Sequence, residues 1–325
     1  MDAPIDEEVR QPRFNRLYIF LGAVKTAFCN GCRKIIGMDG CHLKGEYNGQ
    51  ILTAIGVDPN NAMYPMAWVV VEKEDKETWG WFLTLIKMDC NINDSNEHEW
   101  TFINDRQKNT FKDYSLEDKF RDCAKASHVP QFQEAMQRVK DEDEKAYEWL
   151  VNIPPRYWSR SHFRKTIKCD MVCNNLCEAF NRAILKARDK PIIEMLEWIR
   201  CYLSNRMLIR REWIKKFTNP LLPNIYDKIE ALSNESSTCY ATWFGDLQFQ
   251  VKVGGRDGKQ YTVHLNHRSC TCRRWNLTGL PCPYAMAAIQ ERNLDTQAFI
   301  HGFYSKGSYL KAYEPLINPI NGYKM

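Results

Sequence analysis

The pattern Cys270-Thr271-Cys272, nine further residues, then Cys282-Pro283-Tyr284 constrains this chain more than any other stretch of it. Structural zinc takes four sulfur or nitrogen donors in a tetrahedron, commonly offered as two close pairs, and a segment closed on such an ion has little freedom in its path. The first pair here is C-x-C. The second is C-x-Y, where a metal site calls for C-x-H. A phenol ionises near 10, so Tyr284 is a poor donor unless the metal lowers that value greatly. Three thiolates with a water, or with His264 or His267 from the preceding stretch, remain open as completions. The candidate metal residues are therefore Cys270, Cys272, Cys282 and Tyr284, and the expected cofactor is zinc at a weakened site.

Thirteen cysteines without a recognisable signal peptide point to a reducing compartment, with most thiols free and buried. The longest apolar runs, Leu17 to Val24 and Met63 to Val71, are too short to span a bilayer, so no membrane partner is expected. A formal charge of +5 permits a polyanionic partner without demanding one.

Residues 34–42, 50–57 and 63–71 read as successive strands, separated by the turn signals Gly45-Glu46-Tyr47-Asn48-Gly49 and Asp58-Pro59-Asn60-Asn61. A helix over 76–87, with Trp79, Phe82, Leu83 and Ile86 on one face, and a strand over 100–104 complete an α/β or α+β core. Residues 111–150 read as acidic helices with Phe132, Met136 and Val139 on a buried face; Leu176 to Arg188 is a further helix. Pro191 opens a long one with a stripe of Ile192, Met195, Leu196, Ile199, Leu203 and Met207. A hairpin, 247–253 with 261–265, leads into the cysteine pattern, and 282–292 reads as its closing helix.

Asp39 lies within an apolar strand, Asp105 follows the strand at 100–104, and Glu178 comes early in a helix. Carboxylates so placed can converge on two magnesium ions, which clamp the attacking and leaving oxygens of a phosphoryl transfer. Turn residues, caps and solvated charges look the same from spacing alone. Cys29-x-x-Cys32 with Cys41 and His42 reads as incidental thiols, and Cys169, Cys173 and Cys177 as one helix face. Three groups of basic residues stand out: Arg156, Arg160, Arg164, Lys165 and Lys168 among aromatics; Arg206, Arg210, Arg211, Lys215 and Lys216 at the end of the long helix; and Arg268, Arg273 and Arg274 in the cysteine loop. Phosphate contacts or solvated faces account for them equally.

Gly37-Met38-Asp39-Gly40-Cys41-His42-Leu43-Lys44-Gly45, Gly56-Val57-Asp58-Pro59-Asn60-Asn61, Trp79-x-Trp81-Phe82, Ile103-Asn104-Asp105-Arg106-Gln107-Lys108 and Cys169-Asp170-x3-Asn174-Asn175-x2-Glu178-x-Phe180-Asn181 together resemble the transposase core of plant Mutator-like elements. The stretch 270–289 resembles the SWIM-type zinc module that ends such proteins. The resemblance covers about residues 15–320 and implies a ribonuclease-H-like fold with a D-D-E triad at Asp39, Asp105 and Glu178, using Mg²⁺ only if catalytic. It implies a remnant segment over 1–33, a transposase domain over 34–190, a helical linker over 191–245 and a small ββα zinc module over 246–325.

Two departures qualify the resemblance. Family members pass from the second aspartate through a helix, a strand and a C-x-x-H element; here Lys108 runs almost directly into the acidic helices, so roughly thirty residues are missing, enough for a strand and a helix. With the core motif beginning within forty residues of Met1, the N-terminal DNA-binding region of a full transposase is expected to be lacking as well. The resulting expectation is a nuclear, DNA-associated, transposase-derived protein without strand transfer, with Arg206, Arg210, Arg211, Lys215 and Lys216 on DNA and room for a protein partner at the SWIM-type module. The alternatives are an active Mg²⁺-dependent transposase and a domesticated transcription regulator of the far-red-impaired-response type.

Overall fold

A computed structural model describes residues 15–45, 49–104, 114–169, 171, 175–254 and 258–321. The fold is mixed α/β, with two sheets among the described residues. The chain divides into two compact units, each assembled from separated segments.

The first unit opens with β1 (Leu17–Phe20) and α1 (Gly22–Gly31), followed by β2 (Ile35–His42), β3 (Gln50–Val57), β4 (Met63–Val71), α2 (Lys76–Asp89) and β5 (Thr101–Asn104). Strand order is β1-β4-β3-β2-β5. β2, β3 and β4 form an antiparallel meander, and β5 joins β2 in parallel, with Met38 opposite Asn104. β3 and β4 are buried at nearly every position, which is why both read as unbroken apolar runs rather than alternating ones. The start of α2 is fixed by a capping box: Glu77 N and Thr78 N donate to Asp75 Oδ1, and Asp75 N donates to Thr78 Oγ1. Residues 15–33, expected as a remnant, supply β1, paired with β4, and α1.

The second unit takes over with α3 (Tyr114–Lys125), α4 (Val129–Glu142) and α5 (Glu144–Val151). Their core gathers Leu116, Cys123, Met136, Val139 and Leu150, and Trp158 lies edge-on to Phe132 at 5.5 Å. The chain returns to the first unit as α6 (Asn175–Ala183) and α7 (Ile192–Lys216). Phe180, Ile184, Met195, Ile199 and Leu203 pack on Ile51, Ile55, Trp68 and Val70. Each such side chain contributes about 1.5–3 kcal/mol on burial. The stripe expected on the long helix is thus the face that covers the sheet.

The second unit continues with α8 (Pro223–Ser236), β6 (Cys239–Trp243), β7 (Gln248–Val253), β8 (Gln260–His264), β9 (Ser269–Cys270), α9 (Arg274–Thr278) and α10 (Pro283–Glu291). Its antiparallel sheet runs β6-β7-β8-β9, one strand on each side of the hairpin read from the sequence. α11 (Lys306–Tyr313) closes the first unit. Gly31 allows that closure, since a Cβ there would sit 2.2 Å from Ala312 N. At the turn after β3 the buried Asp58 accepts from the amides of Asn60 and Ala62 and, at 2.8 Å, from the Tyr313 hydroxyl. Burial lifts its carboxyl above the ordinary range, against the pull of the Ala62 amide and of Arg210.

Candidate metal centre

The cysteine site is built by a short strand, a left-handed corner and a helix start. β9 pairs with β8 at Val263–Cys270 and His264–Ser269. Thr271 extends the pairing, its amide donating to Thr262 O and its hydroxyl accepting from Thr262 N. Arg273, at φ 63, then turns the chain into α9, and Gly279, at φ 77, ends that helix. Cys282 is the N-cap of α10 with Pro283 behind it, so its thiol sits where the helix dipole favours negative charge.

These turns bring three thiols together. The sulfurs of Cys270, Cys272 and Cys282 lie within 4.8 Å of one another, and all three residues are buried. They share one core with Phe249, Val251, Val263, Trp275, Ala288 and Ile289, so metal binding and folding of this module are linked. Tetrahedral Zn–S bonds of about 2.3 Å place sulfurs roughly 3.8 Å apart, so the donor set fits zinc after a small contraction. Without metal, burial pushes the Cys282 thiol well up; Cys272, hydrogen-bonded with Cys270, rises to about 12.

The remaining candidates stand differently. Tyr284 packs against the cluster with its ring stacked on Tyr261 at 4.1 Å. Burial, then the Tyr261 neighbour, push its hydroxyl far above the ordinary phenol range, so it stays protonated at neutral pH. The metal group gathered among the described residues includes neither His264 nor His267, whose rings lie 5.8 Å apart. His264 Nδ1 is buried without a hydrogen-bond partner among those residues. Sequence reasoning missed Tyr261, and also Asn276, whose Oδ1 accepts from Cys270 N at 3.2 Å.

The basic residues of the cysteine loop hold the fold. Arg273 donates to the carbonyls of Ser161 and Phe163, Arg274 pairs with Glu235 at 2.7 Å, and Arg268 donates to Ala298 O. On α7, Arg206 donates to Met63 O, and Arg210 to the Tyr309 hydroxyl. Lys215 pairs with Glu212; Arg211 is half-buried and Lys216 exposed.

In the first unit, Asp39 is half-buried on β2 opposite Thr53. Its Oδ2 accepts from Asn181 Nδ2 at 2.8 Å and its Oδ1 from the Gly40 amide at 3.0 Å. Asn181 lies three residues beyond Glu178 on α6, so the two share a helix face, with Glu178 exposed. Asn181 Oδ1 is buried with no partner among the described residues. Asp105 lies outside the described residues.

A family model for the MULE transposase domain matches residues 35–120, and one for the SWIM zinc finger matches residues 249–293. The chain carries a MULE transposase domain and a SWIM zinc finger. The MULE match spans the meander, α2, β5 and the start of α3, while the SWIM match begins in β7 and ends just beyond α10. These matches, with three buried thiols in that finger, support a transposase-derived zinc-binding protein. Neither a curated protein nor a solved structure matches the chain. No helix among the described residues is long and apolar enough to cross a membrane.

Proposed function

We propose that this protein is a nuclear, DNA-associated derivative of a MULE transposase that retains a weakened zinc finger and lacks strand transfer. One observation carries the reading. Among the described residues β5 is one edge of the sheet, and only nine residues separate Asn104 from Tyr114, where α3 begins in the other unit. A strand and a helix of ordinary length need about seventeen residues. A sheet short of that strand leaves ladder groups unpaired at its edge and the strand-end carboxylates poorly braced. Metal-dependent catalysis needs ligands held to about 0.5 Å.

The surroundings of Asp39 support the same reading. Its carboxylate is already shared between a side-chain amide and a backbone amide, which compete with a cation for the same lone pairs. A Mg²⁺ pair, if held, would use Asp39, Asp105 and Glu178 and would activate a water for in-line attack at phosphorus. DNA association is supported by the MULE match and by the exposed cation Lys216 at the end of α7.

The test is incubation of the full chain with terminal-repeat duplex DNA and Mg²⁺, read on a denaturing gel and, in parallel, by a binding titration at several salt concentrations. The expected result is salt-sensitive binding without cleavage. Cutting that disappears in Asp39→Ala would restore the active-transposase reading, and absence of binding at low salt would remove DNA association.

A further inference from the structure

Arg206, Arg210 and Trp213 form one stripe of α7, and the stripe opens onto a cavity of about 440 Å³ in the first unit. Asn60, from the turn after β3, Tyr202, Asn205, Ile209 and Tyr309 complete its walls. Below it the buried Asp58 carboxylate lies 3.7 Å from Arg210, whose guanidinium also sits over the Tyr313 ring at 5.6 Å and donates to Tyr309 at 2.9 Å. Those partners fix Arg210 in place. Arg206 spends Nη2 on Met63 O at 2.6 Å and keeps a buried Nε with no acceptor among the described residues. Two guanidinium groups over a single buried carboxylate leave the wall positive at any physiological pH.

Trp213 supplies the other half of the site. It is 36% exposed, yet its indole is braced edge-on against Tyr309 at 5.5 Å and against Phe217 at 4.8 Å. A rigid aromatic plane open to solvent, next to a cationic wall and two side-chain amides, matches a planar heterocycle carrying a phosphate. The volume falls in the range of small-ligand sites.

We propose that this cavity binds a nucleotide unit, its base against Trp213, its phosphate at Arg206 and Arg210, and the base edge toward Asn60 and Asn205. The proposal rests on the DNA reading above and narrows it to an unpaired base, supplied by a single strand or by a free nucleotide. A fully paired duplex keeps its base faces stacked and offers the site only phosphate.

The full chain is titrated with a labelled short oligothymidylate and, separately, with a labelled blunt duplex, using fluorescence anisotropy; unlabelled thymidine monophosphate is the competitor. Trp213→Ala is expected to weaken single-strand binding about 5- to 150-fold, the effect of one lost base stack, with duplex affinity unchanged. Should Trp213→Ala melt early, Arg206→Gln takes its place, with weaker single-strand binding and a shallower salt dependence expected from its lost phosphate contact. Competition by thymidine monophosphate identifies a free nucleotide as sufficient. Failure to compete, with the Trp213→Ala loss intact, assigns the site to a strand. Single-strand affinity that is indifferent to both substitutions, while duplex binding persists, overturns this proposal alone. Absence of binding to either DNA overturns the broader reading with it.

Discussion

Replacing Tyr284 by histidine should tighten zinc binding while loosening the metal-free protein. Three buried thiols already face one another within 4.8 Å, and the residue in question packs against that cluster as a protonated phenol. A complete four-ligand zinc finger gains about 10–16 kcal/mol from its metal, so one ligand's share is roughly 3 kcal/mol. Against this, the substitution gives up the 4.1 Å stack on Tyr261, worth about 0.5–1.5 kcal/mol. The stack is missing from both the metal-free and the zinc-bound variant, so it cancels in the affinity, which rises by about 3 kcal/mol or roughly 150-fold, while the zinc-bound protein gains about 2 kcal/mol of stability. In chelator the same variant should lose about 1 kcal/mol of stability, because the stack goes and nothing replaces it. Competition against a chromophoric chelator at neutral pH measures the first effect, and urea melts with and without chelator measure the second. Zinc affinity equal to or below that of the parent chain would show that position 284 does not face the metal, and would refute the reasoning.

Three further outcomes follow from the same structure. Zinc must displace the protons of thiols whose metal-free values lie above the ordinary range, so zinc-dependent stability should fall as pH falls, by up to about a thousandfold in affinity per pH unit if all three thiols are protonated. In chelator the sign reverses: a raised folded value means stability is complete below the ordinary thiol range near 9 and is lost as pH climbs toward 12, which melts across that window will show. Gly31→Ala places a Cβ 2.2 Å from Ala312 N, roughly 1.3 Å inside ordinary contact, and should cost about 1–3 kcal/mol in a urea melt; a loss below about 0.5 kcal/mol would mean that α11 slides freely on α1.

Much of the first sheet was legible because burial on both faces leaves an unmistakable apolar run, as in Met63–Val71, and because the Asp58-Pro59-Asn60-Asn61 turn punctuates it. β1 was not legible. Four apolar residues carry no periodicity, and their partner Ala67–Val70 is some fifty residues away. The cysteine cluster was legible from ligand spacing alone, whereas the role of Tyr284 was not, since stacking on Tyr261 depends on a strand that precedes the motif. The basic groups show the limit most plainly. Arg273 and Arg274 read from the sequence as candidates for phosphate contacts, yet they hold carbonyls and Glu235, and only coordinates separate a cation that braces the chain from one that faces solvent. Asn181 was in view as part of a motif, but its hold on Asp39 needs α6 laid across β2.

The first unit draws on residues 1–105, 174–220 and 305–325, with α11 seated on α1 at Gly31 and tied to Asp58 through Tyr313. Such a body cannot finish folding until α11 has been made, because that helix follows all of the unit's other elements along the chain. Until then the surface that will receive Tyr309 and Tyr313 stays open to water. Removing α11 would therefore harm elements made about 250 residues before it, a dependence that no reading of those strands and helices alone would disclose.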